Sequence, residues 1–405
     1  MSISLIGRSI GESVTLRLNE TFAILKAKGE PVIHLGGGEP KSKAPIDAIT
    51  AITSHLNTGE VRYAPVDGTI DMKQAIIRYT MDNYGRKVEP ENIIASSGAK
   101  QALMVALQAI LDPQDEVIFT APYWVSYPDM VKLCGAVPVA VTPEDGTFTP
   151  RMQDIEQNVS SYTKAIIINS PNNPSGAVYP DEFIKEIVQF AEKKGIYLIM
   201  DDIYRKLVFN GVTPANPYDY VTDFSENSKL IIINGVSKAY AMTGFRIGWA
   251  VANKKLIKVM ANIQGHQTSG PSVLLQKAAI GAINGIQSGT ESLRITLENN
   301  RKVMMQQLNA FDGVHVLPPD GTFYCFVDFS AYNKNSTELS NFLLEKVRVL
   351  TMPGVEFGRE GYLRLSYCGS IKDIIEGIER IKWALDPNSP NELYIGERKL
   401  VRDWN

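Results

Sequence analysis

The stretch NGVSKAYAMTGFRIGWA, Asn234 to Ala250, follows the apolar run KLIII and carries two cations, Lys238 and Arg246. The run before it has the continuous apolar character of a strand buried on both faces. Small and apolar residues surround the two cations, and Gly244 lies between them. Two long side chains that lay their stems on apolar surface and keep their charges in water would explain such a pair. A site would explain it too, and the sequence on either side has to decide.

Working outward, short apolar runs recur from Ile93 to Ala252: NIIAS, DEVIFTAP, AVPVAVT, KAIIINSP, IYLIMDD, KLIIING and IGWAVA. Helical patterns lie between some of them. KQALMVALQAILD (100–112) and PDEFIKEIVQFAEKKG (180–195) are the clearest, the second opening on Pro-Asp-Glu and closing on Lys-Lys-Gly. The alternation predicts an α/β fold with a mostly parallel sheet. Two long helical patterns follow over about 272–310. Then come GTFYCFVDF, STELSNFLLEKV, VLTMPG, GYLRLSYC and SIKDIIEGIERIKWAL, an order that predicts a smaller α+β unit. The last stretch, 386–405, is polar with a few aromatics and is expected to lie on the surface as an extension.

Composition narrows the class. The 405 residues are 44% hydrophobic and 21% charged, with a net charge of −3, which is ordinary for a globular protein. No basic stripe suggests nucleic acid, no lipid-anchor motif or long apolar run suggests a membrane, and the N-terminal residues lack a secretory apolar core. Cys134, Cys325 and Cys368 are too scattered for a disulfide framework or a CxxC pair, and the four histidines lack HExxH spacing. The expectations are a cytoplasmic protein and no metal.

Ligands of open parallel sheets bind beyond the carboxyl ends of the strands. After NIIAS comes SGAK, which would place free N–H groups of Ser97, Gly98 and Ala99 at a helix start, an anion cradle. After DEVIFTAP come Tyr123 and Trp124, either core aromatics or a plate for a flat ligand. KAIIIN leads into SPNNPSG, where Asn173-Pro174 marks a rigid turn with a plausible cis bond; the bond before Pro122 is another such place. IYLIM leads into DDIY, and an aspartate at the end of a buried strand needs a cationic partner. The last of these loops is GVSK. A cradle, a plate, an Asn, an Asp, a Tyr, a Lys and an Arg together suit an aromatic ring bearing a phosphate, a protonated nitrogen, a phenolate oxygen and an aldehyde. That ligand is pyridoxal 5′-phosphate (PLP), with Lys238 as the amine that joins the aldehyde.

With GGGEP, YAPVDG, SSGAKQAL, APYWVSYP, NSPNNPSGAVY, DDIY, NGVSKAYAMTGFRIGWA, PPDGTFY, MPGVEFG and LRLSY in this order, the chain resembles the fold-type I PLP-dependent aminotransferases of class I, and among them the bacterial-type aspartate aminotransferases, over roughly 13–385. The resemblance implies a large domain with a mostly parallel seven-stranded sheet and a smaller α+β domain. The expected division is an N-terminal arm and part of the small domain (1–44), a PLP-binding domain (45–290), the rest of the small domain (291–385) and an extension (386–405).

The same resemblance assigns roles. Lys238 matches the covalent anchor and proton carrier, Asp201 the partner of the pyridine nitrogen, and Tyr204 and Asn173 the partners of the 3′-oxygen. Trp124 matches the stacking plate. Gly98, Ala99, Lys100 and Arg246 match the phosphate side, with Ser237 as a further hydroxyl. Tyr63 matches a tyrosine that reaches the phosphate of the neighbouring subunit, which implies a homodimer. Arg364 matches the fork that grips the substrate's α-carboxylate, and Gly38 a backbone wall against the substrate. Trp124 and Asn173 also border the substrate. Lys100, Ser13 and Thr15 match residues around a distal carboxylate, which implies aspartate with 2-oxoglutarate. Asp202 stands where relatives usually carry glutamate. Arg17 departs from the pattern; it could add a cation for a larger acid such as prephenate, or face solvent. Aromatic, prephenate or broad-specificity transamination and a PLP β-lyase remain the alternatives. A PLP-binding transcription regulator would need a DNA-binding segment before the first motif, and a nicotinamide dehydrogenase a GxGxxG fingerprint, which GGGEP is not.

Overall fold

The computed structural model describes residues 3–143, 147–224, 227–396 and 398–404. The strands in chain order are β1 (Ile33–His34), β2 (Ile93–Ser96), β3 (Glu116–Thr120), β4 (Val137–Val141), β5 (Thr163–Asn169), β6 (Tyr197–Asp201), β7 (Leu230–Gly235), β8 (Gly248–Val251), β9 (His315–Val316), β10 (Tyr324–Asp328), β11 (Val349–Leu350), β12 (Met352–Pro353) and β13 (Tyr362–Ser366). Seven of them form one sheet in the order β2-β8-β7-β6-β5-β3-β4. All run parallel except β8, which opposes both of its neighbours.

The continuous apolar runs follow from cover on both faces. Ile94, Val117, Ile167, Ile199 and Ile231 point to one side, against Ala102, Leu103 and Ala106 of the helix Ala99–Ile110. Ile93, Ile118, Ile166, Leu198 and Ile232 point to the other, against Ile76, Phe183 and Ile187. The helix predicted over 180–195 spans Asp181–Lys194, with Pro180 before it and Gly195 after it in the left-handed region.

A smaller sheet, β12-β13-β10-β9, packs with the helices Ser288–Asn309, Ser336–Val347 and Ile371–Leu385 around a separate core of Phe323, Val327, Leu343, Leu365 and Ile378. The N-terminal part of the chain joins this unit, because β1 pairs in parallel with β11, Ile33 opposite Val349. The extension forms an antiparallel hairpin, β14 (Glu392–Ile395) and β15 (Arg398–Val401). It is docked rather than loosely laid down: Trp404 packs edge-on against Trp383 and Phe342, and its Nε1 donates to the Ala384 carbonyl at 3.0 Å. Among the described residues no helix is long and apolar enough to cross a membrane, and no cluster of His, Cys, Asp and Glu could hold a metal.

Candidate active site

The antiparallel return of β8 answers the question posed by the two cations. Gly235, at the end of β7, pairs with Gly248, at the start of β8, so 236–247 is an excursion whose two ends meet at one sheet edge. Lys238 and Arg246 are thereby delivered to the same side, into a cavity of about 470 Å³. Asn169 and Asp201 end the adjacent strands β5 and β6, in register with each other, and line the same cavity.

Lys238 is half-buried on the cavity floor, and its Nζ donates to the Gly38 carbonyl at 2.8 Å. Burial, with the positive charges of Arg364 and Arg246 nearby, pushes its amine down to about 8 from 10.5. Asp201 is buried. Its Oδ2 accepts a 2.7 Å hydrogen bond from the Tyr127 hydroxyl, while Oδ1 has no partner. Burial lifts its carboxyl to about 6, against the pull of Tyr127. A buried acid with one oxygen unsatisfied, facing a cavity, suits a protonated ring nitrogen. Next to it, Asp202 does a different job, accepting from the Tyr84 hydroxyl at 2.6 Å beside Arg205. Its shorter side chain serves the core, not the cavity.

Arg364 leaves β13 and lies 2% exposed. Nη1 donates to Asn173 Oδ1 and Nη2 to the Gly36 carbonyl, both at 2.9 Å, and Nε has no partner. Among the described residues no carboxylate pairs with it within salt-bridge distance. A buried guanidinium without an anion is costly, and a carboxylate bound from outside would relieve it. Asn173 is held in turn: its N–H donates to Asn169 Oδ1, and Asn169 Nδ2 donates to the Asp201 carbonyl. Tyr204 is buried, its phenol held well above the ordinary range, first by burial and then by the neighbouring Tyr324.

The other end of the cavity is shaped for an anion. Gly98 has φ +93°, and a Cβ there would lie 2.7 Å from Arg246 Nη2. At Gly248 a Cβ would lie 2.2 Å from the Ala99 nitrogen. Only glycine lets the helix start at Ala99 close on β8 with the guanidinium beside it. Ser237 lines this end as well. PLP therefore fits what is present: a cradle with an Arg at one end, an orphaned Asp oxygen, and an amine.

Trp124 and Lys100 share the cavity rim. Lys100 Nζ lies 4.8 Å from the Trp124 ring centre and donates to Ser126 Oγ at 3.1 Å; burial, then Arg246, pushes its amine down. Ser13, Thr15 and Gly38 line the cavity too, the first two at the start of the arm helix Val14–Ala27. Two expected residues stand apart. Tyr63 is 94% exposed and does not line this cavity within its own chain. Arg17 lies outside the cavity, with its charge acting on Glu356. The three peptide bonds Ala121-Pro122, Ser170-Pro171 and Asn173-Pro174 are cis. Sequence reasoning passed over Tyr127, Asn169, Asn19 and Tyr324. Of these, Tyr127 stood in the quoted APYWVSYP and Asn169 at the close of KAIIIN, where a polar residue ending a buried strand was the available signal.

An amine of lowered pKa, an unpaired buried guanidinium and an anion cradle around one cavity define a site for amino-group chemistry on a carboxylate substrate. The chain belongs to the family described as aminotransferase class I and II, which it matches over residues 30–381. It is 37% identical to the aspartate aminotransferase of Streptomyces avermitilis, covering 92% of this chain and 94% of that one. It is also 37% identical to the probable aspartate/prephenate aminotransferase of Aquifex aeolicus, covering 92% and 96%. Its fold superposes on Thermus thermophilus aspartate aminotransferase with maleate at a TM-score of 0.89, with 34% identity over 94% of this chain and 99% of that one.

Proposed function

We propose that the chain binds PLP covalently through Lys238 and transaminates L-aspartate with 2-oxoglutarate, giving oxaloacetate and L-glutamate. The observation that carries the reading is the buried, anion-free Arg364 facing the same cavity as Lys238. Bound PLP supplies a pyridine ring that withdraws electrons from the substrate's Cα. Asp201 holds the proton on the ring nitrogen. Tyr204 and Asn173 stand at the 3′-oxygen, and Trp124 covers a face of the ring. Gly98, Ala99, Ser237 and Arg246 take the phosphate, with Lys100 at the edge and the partner subunit's Tyr63 completing it in a homodimer. Arg364 binds the α-carboxylate through its free N–H groups, and Gly38 walls the substrate. Lys238, with a pKa near 8, supplies a neutral amine that can take the proton from the substrate's Cα. Lys100, Ser13 and Thr15 receive the distal carboxylate, whose desolvation needs a cation or several donors. In this reading 45–290 holds the cofactor, 1–44 and 291–385 bring up the arm and Arg364, and the enzyme works in the cytoplasm.

A panel of amino donors at fixed 2-oxoglutarate, compared by kcat/KM in wild type and Lys100→Ala, tests the substrate. Aspartate should lead, and Lys100→Ala should erase most of its lead over alanine. The name of the Aquifex aeolicus relative supports a second reading, with prephenate as an acceptor. A wild type preferring tyrosine or alanine, or an unchanged preference in Lys100→Ala, overturns the aspartate assignment and leaves the PLP chemistry standing.

A further inference from the structure

We infer that Tyr324 is a positioning residue serving two groups of the site at once: its ring is the nearer platform for the Arg364 guanidinium, and its hydroxyl end is the polar neighbour of Tyr204. The inference rests on the proposed role of Arg364 as the carboxylate grip. Tyr324 is 2% exposed at the start of β10 and lines the cavity. The Arg364 guanidinium carbon lies 4.1 Å from the centre of its ring, close enough for a desolvated cation–π contact. Among the described residues the one side-chain hydrogen bond of the fork is donated by Nη1 to Asn173 Oδ1, and Nη2 donates to the Gly36 carbonyl. The Phe357 ring centre lies farther off, at 5.0 Å, so Tyr324 is the nearer of two rings beside a cation that no carboxylate of the described residues pairs with.

The hydroxyl end of Tyr324 points the other way. A Cβ at Gly38 would lie 3.1 Å from it, so it reaches the backbone whose carbonyl holds Lys238. The Tyr204 and Tyr324 rings meet edge-on, their centres 6.1 Å apart, which makes Tyr324 a direct neighbour of the Tyr204 phenol. The backbone just before Tyr324 is held in an uncommon state. Thr322 is fully buried with φ +66°, a left-handed conformation that a β-branched residue adopts at a cost. Two bonds secure it: its N–H donates to the Leu207 carbonyl at 2.8 Å, and its Oγ1 accepts from the Tyr324 N–H at 3.1 Å. The strand that follows this turn begins with Tyr324, which lines the cavity.

Two substitutions separate the two roles. Tyr324→Phe keeps the platform and removes the hydroxyl. Its KM for donor and for 2-oxo acid should stay within about twofold, while the pH midpoint of the absorbance of bound PLP moves, because Tyr204 has lost its neighbour. Tyr324→Leu removes the platform. KM for both substrates, and the dissociation constant of an unreactive dicarboxylate such as maleate, should rise about tenfold, the worth of one such contact. Affinity for PLP itself should stay near wild type. The inference is overturned if Tyr324→Leu binds maleate like wild type, if Phe loses as much affinity as Leu, or if the absorbance midpoint of Tyr324→Phe is unmoved. Should Tyr324→Leu not fold, the midpoint in Tyr324→Phe decides alone. Arg364→Ala serves as the control: maleate binding unchanged in that variant would refute the carboxylate grip itself, whereas its loss there with retention in Tyr324→Leu refutes only the platform.

Discussion

Arg364 and Asn173 are joined by a 2.9 Å hydrogen bond from Nη1 to Oδ1 across 191 residues of sequence. One residue belongs to the smaller sheet and the other to a loop at the end of the large one, so the proposed substrate grip draws on both units. An Arg364→Lys variant keeps the charge but loses the planar fork and this bond. Its KM for aspartate and for 2-oxoglutarate should both rise 30-fold or more, about 2–3 kcal/mol for the loss of charge-assisted hydrogen bonds. Equal loss for both substrates is the signature, since each presents the same α-carboxylate. Steady-state kinetics with each substrate varied in turn would check it.

Lys238→Ala should abolish covalent capture of PLP, read as the absence of borohydride labelling, and lower transamination by several orders of magnitude. In wild type, the rate at which PLP-free protein captures PLP should climb with pH and level off above about 8, because only the neutral amine attacks. A plateau reached only near the ordinary lysine range, 10.5, would contradict the lowered pKa.

Asp201→Asn should stabilise the PLP-free protein while crippling the loaded enzyme. The folded-state carboxyl titrates at about 6 against 3.8 ordinarily, so the folded state binds the proton more tightly and stability falls as pH rises between those values. The penalty is complete above about pH 6, up to about 3 kcal/mol, and absent below 3.8. Asparagine still accepts from Tyr127 and carries no charge. Its melting temperature should exceed that of wild type at pH 8, and the difference should vanish by pH 4. Thermal melts of the PLP-free forms across that range would show it.

Tyr63 is exposed within its own chain, and the proposed dimer gives it work in the partner's site. Mixing Tyr63→Phe chains with Lys238→Ala chains would create one site lacking both groups and one lacking neither. At limiting PLP, activity of the mixture should exceed the average of the two parents. Activity equal to that average would mean that Tyr63 acts in its own chain or not at all.

Much of this was legible along the chain because its signals are local. A strand covered on both faces shows as an unbroken apolar run, and polar residues at or just past its end are conspicuous; Asp201 closes one run, Asn173 and Lys238 stand in the loops after two others, and Arg246 stood out as the second cation of the opening stretch. The reversal of β8 was not, since IGWAVA looks the same in either direction and only its pairing with β2 and β7 sets it antiparallel. Arg17 left two readings open along the chain, a further cation for a larger acid or a solvent-facing side chain; it lies outside the cavity, with its charge acting on Glu356.

The sequence by itself determined which residues could hold a ring, a phosphate and a carboxylate, because residue type and its place at a strand end are properties of short windows. Tertiary structure alone decided what those residues lack and what supports them. That Asp201 Oδ1 is orphaned, that Arg364 is buried with no carboxylate of the described residues paired to it, and that Tyr324 lies beneath it are relations among segments far apart in the chain. Burial removes water from each of these groups only after the two units have packed, and the cost of that removal is what prepares the cavity for a charged ligand.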